Sequence, residues 1–415
     1  MSRYLTFVRG NLAFLAAGML LTFCSSFGQT FFVSIFSGEI RAAFGLSHGA
    51  WGAIYSAGTF AAAVAMIWAG VLTDRFRVRA MGAVMLPCYA VACLAMGFNV
   101  WLWAVPILVF ALRFFGQGMA THIATVAMAR WFVATRGRAL STATLGFALG
   151  EAVLPVSFVA LMLVLDWRFL WVLSAGLLLA LTPVLWRLLS QERTPQSQAA
   201  ENQSAGMEGL HWTRRAVLRH WLFWFIVPIL LGPAAFSTAF FFHQVHFAET
   251  KAFSHLALVA LFPLFTGSAV VTMMVSGFLI DRFGTARLMP LYQVPMVAAF
   301  LVLSGAGGVG GAAIGMVLLA MTVGANHTLP SAFWAEFYGT RHLGAVRAMA
   351  AAVMVLGTAI GPVLTGALID AGTSFDAQMI GIAGYFALAC LSAAIGVGRA
   401  RPLLARTGEI DVIGP

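Results

Sequence analysis

Apolar residues run through this chain in long stretches parted by short polar turns. Twelve stretches are long enough for a helix that crosses a bilayer, which needs about 20 apolar residues. They are residues 12–36, 49–72, 80–98, 101–128, 139–164, 168–189, 220–245, 253–279, 288–304, 311–337, 345–369 and 379–397, numbered helices one to twelve below. A transmembrane barrel would instead alternate polar and apolar residues over segments of about ten, and no such alternation is present. The turns differ in charge. Of 24 Lys and Arg, Arg41, Arg113, Arg168 and Lys251 fall on one side of the predicted membrane or deep inside a helix, and the other 20 occupy the alternate turns, the helix ends beside them and both termini. Cytoplasmic loops carry the Lys and Arg excess. The pattern therefore predicts a multi-pass protein of the plasma or inner membrane, with both termini and the central linker cytoplasmic. Arg3 and Arg9 before an apolar run look like a signal peptide, but the run is too long and leads straight into a second span, so it is read as helix one.

Composition supports lipid as the solvent. The chain is 61% hydrophobic and 9% charged, against about 25% charged in soluble domains. A net charge of +10 invites a nucleic-acid reading, but the alternation of basic turns excludes it. The four cysteines, Cys24, Cys88, Cys93 and Cys390, all lie in predicted helices, where they read as small packing residues. No metal-ligand cluster, Walker loop, HExxH or nucleophile–base pair is present. The chain is therefore expected to be no enzyme, to need no cofactor or metal, and to draw on ion gradients rather than ATP.

One turn recurs. Gly70-Val71-Leu72-Thr73-Asp74-Arg75-Phe76 returns as Gly277-Phe278-Leu279-Ile280-Asp281-Arg282-Phe283, an offset of 207 in a chain of 415. Gly137/Gly344, Gly150/Gly357 and Pro155/Pro362 keep the same register. The motif resembles the signature loop of the major facilitator superfamily, roughly Gly-x-Leu-x-Asp-Arg-x-Gly-Arg-Lys. Arg77 stands where the family usually has Gly, and the second copy keeps that Gly as Gly284. The resemblance implies an all-α membrane protein of twelve transmembrane helices in two pseudo-symmetric six-helix bundles. The expected boundaries are 1–189 and 220–398 for the bundles, 190–219 for a cytoplasmic linker and 399–415 for a cytoplasmic tail. It further implies a cavity lined by helices one, four, seven and ten, and alternating access by rocking of the halves. In the family the Asp at Asp74 faces the start of helix eleven as a latch. Gly70, Asp74, Arg75, Asp281 and Arg282 are accordingly gating candidates, with Glu336, expected to pair with Arg282 or Arg341.

The remaining candidates are polar residues inside apolar runs, where each is costly and marks function or a partner. Thr22, Ser26 and Gln29 share one face of helix one, which either lines a pore or bonds a neighbouring helix. Arg113 lies near the middle of helix four and cannot shed its proton. At helical spacing it shares a stripe with Gln117, Ala120 and Ala124, and His122 lies off that stripe. Arg113-Phe114-Phe115-Gly116 also resembles the family's helix-four motif. Glu151 in helix five lies at a similar depth. The two form a buried tether, or a site where substrate or a proton competes with the pair, or they never meet. His327, beside Asn326 in helix ten, matches Ala120 at the 207 offset and has three open roles: proton carrier, substrate ligand or structure. His243 and His246 read as interfacial, with paired ligation as the alternative.

These residues lead to a secondary active transporter of a small solute, an organic anion carried with protons as a symporter. Arg113, Gln29, Gln117, Asn326 and His327 are expected to bind substrate, and Glu151 or His327 to carry the proton. The expected partners are the small-molecule substrate, protons and the lipid bilayer, with the protein working as a monomer. The loop from Phe337 resembles that of monocarboxylate-type members, although helix eight lacks the Arg those members carry. A proton-driven efflux carrier for amphiphilic compounds and, more remotely, a non-transporting membrane sensor are the alternatives.

Overall fold

The computed structural model describes residues 8–70, 72–132, 136–190, 205–339 and 341–405. Among them all regular structure is helical. Among the described residues ten helices are long and apolar enough to cross a membrane, or eleven when the bent pair Leu12–Gly28 and Thr30–Phe44 counts as one span. Helices two to eight are observed as His48–Ala69, Val78–Phe98, Leu102–Met128, Arg138–Met162, Trp167–Leu188, Trp221–Phe242 and His255–Phe283. Helices ten and twelve are Val309–Tyr338 and Phe375–Leu404, and helix eleven is Leu343–Asp370.

The expected helix nine is shorter than the apolar run suggested. It is an eleven-residue helix, Val294–Ser304, with Pro295 in its first turn. A separate short helix, Thr285–Leu288, precedes it. Pro has no N–H and is best tolerated in the first turn of a helix, so the chain starts a helix at Val294 instead of continuing one through Pro290 and Pro295.

The chain divides into two compact units, one running to residue 200 and the other starting at 201, with Phe241–His246 grouped in the first. Most of the expected linker, residues 191–204, lies outside the described residues. In the first unit helix five packs on helix one. A Cβ on Gly150 would lie 2.0 Å from Ser26 Oγ, and Thr22 donates its hydroxyl to the Ala143 carbonyl at 2.5 Å. The polar face of helix one thus serves helix packing at Thr22. In the second unit helix eleven packs on helix seven in the same manner, and a Cβ on Gly357 would lie 2.9 Å from the Leu231 carbonyl. Gly150 and Gly357 are partners at the 207 offset, so both halves of the sequence use a glycine at the equivalent helix crossing.

After residue 204 the chain lays a short strap over the second unit. Met207 is fully buried, and the Trp212 N–H donates to the Tyr338 carbonyl at 3.1 Å. Trp212 also packs edge-on against Tyr338 and against His220. Burial lowers the pKa of His220, and the Glu208 charge opposes that shift.

Candidate functional site

Helices one, four, seven and ten each depart from regular α geometry. Helix one breaks at Gln29, whose backbone is extended, and the two segments meet at 46°. Helix four widens into a π segment over Arg113–Ala120, and helix seven does so over Pro233–Ser237. Helix ten ends its first segment at Asn326 and restarts at Leu329. Such irregularities leave main-chain groups without their usual partners and cluster at functional sites. In a membrane interior those groups need another protein partner, and here they find side chains.

In the first unit the break brings helix one hard against helix four. A Cβ on Gly28 would lie 2.1 Å from the Leu112 carbonyl, and one on Gly116 would lie 2.7 Å from Gly28 Cα. That approach puts the Gly28 carbonyl beside Arg113. Arg113 Nη1 donates to it at 2.9 Å and to Thr30 Oγ1 at 3.4 Å. Tyr55 of helix two donates its hydroxyl to the same Thr30 oxygen at 2.7 Å. Its ring lies 5.2 Å from the guanidinium carbon, within range of a cation–π attraction. Arg113 is 1% exposed, yet its Nε and Nη2 have no hydrogen-bond partner. Glu151, half-buried in helix five, forms no ion pair with Arg113 among the described residues. The guanidinium is therefore held by a carbonyl, a hydroxyl and a ring, and two of its donor nitrogens remain unused.

Gln29 is buried at the break and Gln117 is half-buried in the π segment. Because the π segment stretches the turn, the Arg113–Gln117 stripe is not a regular α-helical one. Gly70 lies at the end of helix two, where its carbonyl accepts the Thr73 hydroxyl at 2.7 Å and faces His122 Nε2 at 3.3 Å. His122, off the Arg113 face as expected, thus braces the first signature turn. The backbone of Asp74 and Arg75 forms the short helix Leu72–Arg75, and their side chains lie outside the described residues. His243 and His246 both approach His48, with ring centroids 5.8 Å and 4.5 Å away. No group of three donors suited to a metal occurs among the described residues.

The second unit holds a different polar cluster. Pro233 cannot donate to the carbonyl four residues before it, which is that of Ile229. Tyr292 donates its hydroxyl to the Ile229 carbonyl at 3.2 Å, and Gln293 Nε2 donates to the same oxygen. Tyr292 also reaches Asn326 Oδ1 at 3.2 Å. Pro330 likewise leaves the Asn326 carbonyl without a main-chain donor, and helix ten breaks there. Thr328, in the break, bonds Ser276 of helix eight at 2.6 Å. His327 is exposed at the break, where its backbone N–H donates to the Gly324 carbonyl at 3.2 Å.

The expected ion pair of Glu336 is corrected. Its Oε2 accepts the Thr285 N–H at 3.3 Å and the Thr285 hydroxyl at 2.5 Å, and neither Arg282 nor Arg341. Gly284 takes φ +74, a conformation glycine adopts without steric cost. It turns the chain so that Thr285 opens a helix, and an acid is favoured at that N-terminus. Asp281 and Arg282 are exposed, and Arg282 lies over the Phe283 ring.

Tyr55, Gly28, Tyr292 and Gln293 were not singled out from the sequence. The only signal for the Ile229 carbonyl was a proline four residues later.

A family model described as Major Facilitator Superfamily matches residues 18–362. Solved structures with the same fold include a bacterial homologue of the human lysosomal transporter Spinster in an inward-facing, unoccupied conformation. It is 14% identical, covers 98% of this chain and 97% of its own, and gives a TM-score of 0.66. The nucleoside transporter NupG is 15% identical, with 95% and 98% coverage and a TM-score of 0.66. At these identities the likeness is one of fold. No curated protein matches the sequence.

Proposed function

This chain belongs to the Major Facilitator Superfamily, and on that premise we propose that it carries a small organic anion across the membrane together with protons, by alternating access. The observation that carries the reading is Arg113. A buried, permanently charged guanidinium with two unused donor nitrogens is costly to keep. A substrate carboxylate would satisfy both nitrogens, in the two-pronged geometry that Arg favours. Tyr55 lies against the guanidinium and would move aside or stack on the bound anion. Gln29, Gln117, Asn326 and His327 remain the candidates for hydrogen bonds to the substrate. Glu151 or His327 would take the proton, so that anion and proton enter together. Gly70, Asp74, Arg75, Asp281, Arg282 and Glu336 remain gating candidates under this proposal, Glu336 acting through Thr285.

The test is uptake into proteoliposomes from a panel of radiolabelled small carboxylates under an imposed pH gradient. At least one acid should accumulate, and Arg113→Ala should reduce its uptake tenfold or more. If Arg113→Ala and Glu151→Gln both leave uptake and its pH response intact, the proposal fails. Gradient-driven extrusion of an uncharged amphiphile, indifferent to Arg113→Ala, would favour the efflux alternative instead.

A further inference from the structure

The far side of helix four from Arg113 carries a second feature. Phe114, Phe115 and Met119 line a groove of about 480 Å³ with Leu72, Phe76, Ala80, Met81, Val84, Met85 and Cys88. Every lining residue is apolar or a thiol, and all belong to the turn after helix two and to helices three and four of the first unit. Val84 is 65% exposed and Phe76 is 56% exposed, so the groove opens sideways, on a surface that in a membrane meets lipid tails. One end adjoins the basic turn. Arg77 is exposed beside Phe76. Arg79 precedes Ala80, with its guanidinium 4.0 Å from the Trp186 ring and its Nε buried without a hydrogen-bond partner.

We propose that this groove holds one acyl chain of an anionic phospholipid whose phosphate rests on Arg77 and Arg79. The chemistry of the two ends selects the occupant. The apolar length suits a hydrocarbon chain and gives no polar headgroup a partner. Juxtamembrane Arg attracts anionic headgroups, and Arg77 is exposed at that end of the groove. A zwitterionic lipid would fill the groove equally well but would meet the arginines with a balanced headgroup. The lipid is a structural ligand, separate from the transported solute, because Arg113 points to helix one and the groove lies on the opposite face of helix four.

Native mass spectrometry of the full chain, with phosphatidylglycerol or phosphatidylcholine added in detergent, tests the proposal. One phosphatidylglycerol should stay bound at collision energies that strip phosphatidylcholine. Val84→Trp, which fills the groove from an exposed position, should cut that adduct at least fivefold. Arg77→Ala with Arg79→Ala should bring the two lipids to equal retention. Equal retention by the unaltered chain, or an adduct that Val84→Trp leaves unchanged, overturns the proposal. So does a two-chain species without lipid that Val84→Trp abolishes, since the groove would then be an interface between copies. Cys88 gives a reading that does not depend on the fold of a variant at the groove. It is exposed, whereas Cys24 and Cys93 are buried and Cys390 is half-buried. A nitroxide on Cys88 in a Cys390→Ala chain, free of lipid in detergent, should change mobility at a lower concentration of added phosphatidylglycerol than of added phosphatidylcholine. An unchanged spectrum counts against the lipid.

Discussion

Arg113 concentrates the argument at the scale of single residues. Its charge was legible in the sequence, because an Arg inside an apolar run stands out against every neighbour. Its partners were not. The Gly28 carbonyl is a main-chain group, exposed only because helix one breaks there, and the Thr30 hydroxyl is one of many in its helix. The sequence reading looked to a carboxylate, Glu151, as the natural partner of a cation, and the structure instead supplies neutral acceptors and a ring. This distinction has consequences for mutation. Lys carries the charge but offers a single ammonium in place of a planar fork. Arg113→Lys should therefore lose at least tenfold in uptake, about 1.4 kcal/mol, while substrate-independent properties such as thermal unfolding change little. Thr30→Val acts differently. It removes the acceptor that Tyr55 uses and Arg113 shares, and a buried donor left unpaired costs about 1–3 kcal/mol. The expected result is a lower unfolding temperature in detergent, measured by dye-reported melting, and a smaller loss of uptake than Arg113→Lys gives.

Element positions were read from hydrophobic run length, and most helices lie within a few residues of the runs that announced them. The interruptions were harder to see. A hydrophobicity profile cannot register the π segment Arg113–Ala120, because its widened turn changes main-chain pairing and not residue type. The break at Gln29 has no proline to announce it either. The breaks that do follow local chemistry are those at Pro233 and Pro330, each four residues after a carbonyl left without a donor. Helix nine shows the same limit, because Pro290 and Pro295 lie within an apolar run and the helix starts only at Val294. Pro233→Ala tests whether the defect in helix seven matters. It restores an N–H that competes with Tyr292 and Gln293 for the Ile229 carbonyl. Thermal stability should stay equal or rise, while maximal uptake falls, because the Tyr292–Asn326 connection loosens. Equal uptake with raised stability would reduce the π segment to a packing feature. The crossing of helices one and four tolerates less. Gly28→Val places side-chain atoms where Leu112 already stands, and overpacking costs about 1–3 kcal/mol. Its melting temperature should fall, and that of Gly176→Val, where no atom lies within 4 Å of the added Cβ, should not.

The whole chain is two related units, and each contributes a different chemistry to the proposed carrier. The 207 offset carried the repeat at the level of sequence, and Gly150 and Gly357 carry it into helix packing. Yet the polar content diverged. The first unit concentrates positive charge at Arg113, and the second concentrates neutral hydrogen-bonding groups at Tyr292, Gln293 and Asn326. A duplicated scaffold fixes helix crossings and leaves interior polar residues free to differ, so the repeat was readable and the second cluster was not. The division also separates the roles of proton and anion experimentally. Arg113 is held by the Gly28 carbonyl, the Thr30 hydroxyl and the Tyr55 ring, so removing the Glu151 charge should leave the anion's contacts in place. Glu151→Gln should therefore keep exchange of substrate across equal pH, where no net proton movement is needed, and lose accumulation driven by a pH gradient. His327→Gln in the second unit distinguishes the two proton candidates. If gradient-driven accumulation survives Glu151→Gln and is lost in His327→Gln, the proton travels with the exposed histidine at the helix-ten break. If neither variant alters it while Arg113→Ala abolishes all transport, the anion is carried without a proton on either group, and coupling must reside elsewhere in the chain.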